Sequence, residues 1–75
     1  MSYMVSADTK QRTKFLNHGV WDLVSHKAQT FNSFGDAYTA LVNAPQTKGR
    51  KAIWSQILKT NHLGQAYKAW VRRTL

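Results

Sequence analysis

Residues 50–74 read RKAIWSQILKTNHLGQAYKAWVRRT, and the way this stretch folds decides the architecture. Ile53, Trp54, Ile57 and Leu58 cluster at helical spacing, and Leu63, Tyr67, Trp70 and Thr74 then recur three or four residues apart. Both patterns follow the 3.6-residue rhythm of an amphipathic helix. The stretch therefore reads as two helices, about 50–60 and 63 to the end, divided by a break from Asn61 to Gly64. With the apolar stripes turned inward, Lys59 faces outward on the first helix. Gln65, Lys68 and Arg72 (i, i+3, i+7) face outward on the second, with Arg73 at the margin. Lys48, Arg50 and Lys51 sit at the start of the first helix, and Arg72 and Arg73 complement the dipole at the end of the second.

Upstream, Pro45 closes another segment, because proline lacks a backbone N–H and disfavours helical geometry in the residue before it. Ser33 and Asp36 ahead of that proline have capping-box spacing, and Phe34, Ala37, Tyr38 and Leu41 form one stripe, which predicts a helix over roughly 34–44. Further back, Leu16, Val20, Leu23 and Val24 fall on one helical face between about Ala7 and Gln29, with Ser6 as N-cap and Asp8 in the first turn. Gly19 argues for a kink there. The alternative for this region is a short β-hairpin within residues 20–31, pairing Val20 to Val24 with Gln29 to Phe31. The expected fold is thus all-α, a single small domain of three to four short helices over residues 1–75, with residues 1–6 flexible.

Composition supports an independently folding domain. Hydrophobic residues make up 43% of the 75 and aromatics 12%, too much apolar material for intrinsic disorder. The chain has no cysteine, so stability has to come from packing and not from disulfides or thiolate-bound metal. Apolar runs are far too short to span a bilayer as a helix, and the first residues carry no secretory signal pattern, so an intracellular, cytoplasmic location is expected.

Charge is the strongest functional signal. Eleven Lys and Arg stand against three Asp and no Glu, a formal +8. Residues 1–36 contribute +1 of this and residues 37–75, which contain no acid, contribute +7. A half-domain without internal counter-charge is most easily explained if an anionic partner supplies it. Solubility alone is the simpler account of such a charge, but it leaves the asymmetry unexplained.

Two kinds of partner fit. The leading one is nucleic acid, in a regulatory, transcription-related role, with Lys48, Arg50, Lys51, Lys59, Gln65, Lys68, Arg72 and Arg73 docking on phosphates from two helix faces. The alternative is an acidic surface on a larger protein, such as part of the transcription or replication machinery, which the chain would block. Small basic proteins that bacterial viruses direct at host proteins are of this type. Lys10, Arg12 and Lys14 form a second cluster, an N-terminal arm that orders on a partner, and Trp21 is the aromatic best placed for an exposed contact.

His18, Asp22 and His26 are spaced four apart, which on a helix can chelate zinc and is equally an ordinary surface pairing, so no metal is assigned. No serine, cysteine or glycine-rich loop stands in a catalytic context. The expectation is a non-enzymatic binding protein with no cofactor, no small-molecule substrate and no membrane association.

Overall fold

The computed structural model describes residues 2–46 and 52–73. They form a five-stranded antiparallel sheet crossed on one face by a single α-helix, which overturns the expected all-α bundle. The strands are β1 (Ser2–Asp8), β2 (Thr13–Asn17), β3 (Val20–Asp22), β4 (Trp54–Thr60) and β5 (Ala66–Arg73), and α1 spans Phe34–Asn43. Their lateral order is β3-β2-β1-β4-β5, so the N-terminal strand lies at the centre and the last strand at an edge. Residues 2–6, expected to be flexible, belong to that central strand, in which Val5, Ser6 and Ala7 are buried.

Turn chemistry shows why the chain doubles back where helices were expected. Between β2 and β3, Asn17 pairs with Val20, and both intervening residues have positive φ, 49° at His18 and 82° at Gly19. That is the signature of a type I′ turn, whose twist matches the strands it joins. Gly19 therefore closes a hairpin instead of kinking a helix. The hairpin also differs from the alternative within 20–31, since the partner of β3 is β2 and not residues 29–31. Phe31 makes an isolated antiparallel bridge with Tyr3 instead.

The Asn61 to Gly64 break is likewise a hairpin turn. Asn61 N–H donates to the Gln65 carbonyl at 3.0 Å, Gly64 N–H donates to the Asn61 carbonyl at 3.0 Å, and Gly64 has φ 80°. The Asn61 side-chain oxygen accepts from the N–H groups of Leu63 and Gln65 at 2.9 and 3.0 Å. This is the three-residue loop with glycine in the left-handed position that ordinarily joins antiparallel strands. Between β1 and β2, the Thr9 hydroxyl accepts from Gln11 and Arg12 N–H at 3.3 and 3.2 Å, which ties that turn from its first residue.

The expected helix at 34–44 is present as α1. The Ser33 hydroxyl caps it by accepting from Asp36 N–H at 3.1 Å, and the chain leaves helical geometry at Ala44, just before Pro45. Ala37 and Leu41 bury against Val5, Leu16 and Ile57, and Trp21, Phe31 and Trp70 pack around this core.

Burial explains the failure of the other helical stripes. Of the stripe Leu16, Val20, Leu23 and Val24, only Leu16 enters the core, while Val20 and Leu23 are 64% and 51% exposed. In β4 the buried Ser55 and Ile57 share the helix-covered face, and Trp54, Gln56, Leu58 and Thr60 point to the other. That second face holds a polar network. The Gln56 amide nitrogen donates to Asp8 at 2.6 Å, and the Thr13 hydroxyl donates to the other Asp8 oxygen at 2.7 Å, linking the three strands β2, β1 and β4. Apolar and polar side chains thus fall on both faces of β4, and the strand lacks the clean alternation that marks one from sequence.

Candidate functional site

The β4–β5 hairpin carries the described part of the expected contact set. Pairing across the two strands assigns each side chain to a face. Ser55 pairs with Arg72, Ile57 with Trp70 and Lys59 with Tyr67, all on the helix-covered side. Trp54 pairs with Arg73, Gln56 with Val71 and Leu58 with Lys68, all on the open side. The described cations therefore do not converge on one face, as two packed helices would have arranged them. Lys59 and Arg72 share one side of the sheet, and Lys68 and Arg73 share the other. Lys48, Arg50 and Lys51 lie outside the described residues.

A register shift between Ile57 and Leu58 leaves Ala69 as an extra residue in β5 and separates Lys68 from residues 70–73. Aromatic rings support three of the four charged groups. The Arg72 guanidinium lies 5.7 Å from the Trp70 ring centre, Arg73 lies 5.7 Å from Trp54, and the Lys59 ammonium lies 5.9 Å from Tyr3. Such contacts orient a cation without neutralising it. Gln65, expected among the contact residues, has a structural role in the turn. Its side-chain oxygen accepts from Asn61 at 3.1 Å and from the Tyr67 hydroxyl at 3.1 Å, so it braces the turn.

Lys10 and Arg12 belong to the turn between β1 and β2, and Lys14 to β2, which replaces the expected flexible arm with ordered sheet. Arg12, Lys14 and Trp21 do come together, with Val20 and Leu23, around a shallow depression of about 810 Å³. Trp21 is half-buried against the core, and its indole N–H donates to the Pro45 carbonyl at 2.7 Å. That bond fixes the chain leaving α1 and leaves only part of the ring for a partner. His18, Asp22 and His26 do not form a ridge. His18 sits in the β2–β3 turn with its ring against Asn17, the Asp22 carboxylate accepts from Val24 N–H, and among the described residues no cluster of His, Cys, Asp or Glu could hold a metal. No helix among them is long and apolar enough to cross a membrane.

Helical periodicity concealed the aromatic strip beside the cations. Tyr3, Phe34, Tyr38 and Trp70 form a chain of ring contacts with centroids 6.1, 6.3 and 5.4 Å apart, running from β1 across α1 to β5. Phe34 and Tyr38 stay partly exposed, as does Val42 one turn on, although the sequence stripe placed Phe34 and Tyr38 in the core. Val42 and Arg72 line a groove of about 350 Å³ at the C-terminal end of α1. Searches against protein-family models, curated proteins and solved structures found no match to this chain.

Proposed function

We propose that this protein works by stoichiometric binding, docking the cationic β4–β5 hairpin on an acidic surface of a larger protein. The observation that carries the reading is the position of β5. It is an edge strand bearing Lys68, Arg72 and Arg73, all exposed, in a half of the sequence with no carboxylate. Sheet edges are established sites of protein association, and a one-signed charge on such an edge selects a partner of the opposite sign.

Nucleic acid fits this geometry less well. The two recognition helices it called for are strands. A two-stranded ribbon can enter a major groove, but β4 is held between β1 and β5 in the sheet and cannot follow β5 there. Among the described residues, cations split between two faces also present no single track to a phosphate backbone.

The test is affinity capture from a nuclease-treated lysate, followed by reconstitution with the purified captured protein, comparing the wild type with the triple variant Lys68→Glu, Arg72→Glu, Arg73→Glu. The expected result is a one-to-one complex that weakens with salt and is lost in the variant. A complex that dissolves with nuclease and re-forms on added DNA or RNA would overturn the proposal.

A further inference from the structure

Resting on that reading, we infer that the outer edge of β5 receives an extended acidic segment of the partner as a sixth strand. Among the described residues nothing pairs with this edge, and seven of the eight residues of β5 are exposed. An extended segment laid here gains main-chain hydrogen bonds from the strand, and its alternate side chains enter two different environments.

On the helix side those side chains lie beside Trp70, the one described residue of β5 that a ring of α1 reaches. Tyr38 reaches over to Trp70, Phe34 stacks on Tyr38, and Val42 continues the line toward Arg72. Phe34 lies beside Tyr3, whose row across the sheet runs through Lys59 to Tyr67, while Arg72 shares its row with Ser55 and Ala7. α1 and β5 therefore run in the same direction. On the open side, the alternate side chains of the added strand meet Lys68, Val71 and Arg73. The ligand that fits has carboxylates at every second position, facing Lys68 and Arg73, and bulky apolar side chains between them, facing Tyr38 and Trp70.

Cations and a bulge on an edge strand are also the usual protection against uncontrolled pairing. Protection alone does not account for the exposed rings of Tyr67 on β5 and Tyr38 on α1 beside Trp70. The same charges disfavour a second copy as the occupant. Joining two β5 edges would bring six cations into one seam with no carboxylate on either strand.

The probe is the peptide acetyl-Asp-Val-Glu-Val-Glu-Val-Asp-amide, titrated by fluorescence and followed by amide hydrogen exchange. Controls are the same peptide N-methylated at alternate residues, an acidic peptide of Glu and Gly, and a single-stranded DNA 12-mer. The expected result is one-to-one binding that slows exchange at alternate amides of residues 70–73, and that drops by roughly tenfold or more on N-methylation. Tyr38→Ala should weaken the Val-containing peptide and leave the Glu/Gly peptide unchanged. Equal binding of all three peptides without protection of β5 would overturn strand addition and leave the acidic-surface reading standing. Binding of DNA alone, or of none of the ligands, would overturn both. Dimerisation through β5 in the absence of peptide, read from concentration-dependent mass, would replace the acidic segment with a second copy and so overturn the inference.

Discussion

Replacing Gly19 by alanine separates the strand from the helix account of residues 13–22 by the sign of its effect. Gly19 has φ 82°, and a Cβ built there meets no atom within 4 Å, so the substitution introduces no clash. Its cost is that of holding an L-residue in left-handed geometry, about 1–2 kcal/mol. Alanine also narrows the unfolded ensemble, which offsets about 0.4–1 kcal/mol of this. The net expectation is a loss of about 1 kcal/mol, or roughly 4–8 °C in Tm for a domain of this size. Were Gly19 inside a helix, the same change would stabilise by about 1 kcal/mol. Urea denaturation read by tryptophan fluorescence resolves the two outcomes, because Trp21 and Trp70 pack against the core. A midpoint that rises in Gly19→Ala would refute the hairpin. His18→Asn provides the converse check. Asparagine tolerates positive φ better than histidine does, so the midpoint should hold or rise, while a helix would gain nothing from it.

Two further substitutions test packing and capping. The Thr60 hydroxyl is buried with no hydrogen-bond partner, so Thr60→Val should stabilise by up to about 1 kcal/mol in thermal or urea melts, and destabilisation would mean that the hydroxyl is satisfied in solution. Ser33→Ala removes the acceptor for Asp36 N–H and should cost about 1 kcal/mol, with faster amide exchange confined to the first turn of α1; an unchanged midpoint would show that the cap contributes nothing.

The proposed edge-strand site was only partly legible in the sequence. The cations were visible by count and by their concentration in residues 37–75, and Lys59, Lys68, Arg72 and Arg73 do fall on adjacent elements. Their division between two faces was hidden, because it depends on a period of two in β5 interrupted by the bulge at Ala69. Helical spacing placed Lys68 and Arg72 on one face, whereas the strand sends them to opposite sides. Tyr38 offers a similar lesson. Its stripe on α1 is real, but α1 covers the centre of the sheet and leaves the side toward β5 only partly filled.

By itself the sequence determined the features that depend on near neighbours. These are the helix from its Ser33 cap to its stop before Pro45, an interruption from Asn61 to Gly64, and the charge asymmetry between residues 1–36 and 37–75. Tertiary structure alone decided that the chain reverses at Gly19 and that the segments flanking Gly19 and Gly64 are strands, that the N-terminal segment lies at the centre of the sheet, and that the last one is left at an edge. The physical reason is that a cap or a turn is satisfied by residues a few positions away. The pairing of Val5 with Ile57 joins residues far apart in the chain, and its stabilisation appears only once both strands are covered by α1.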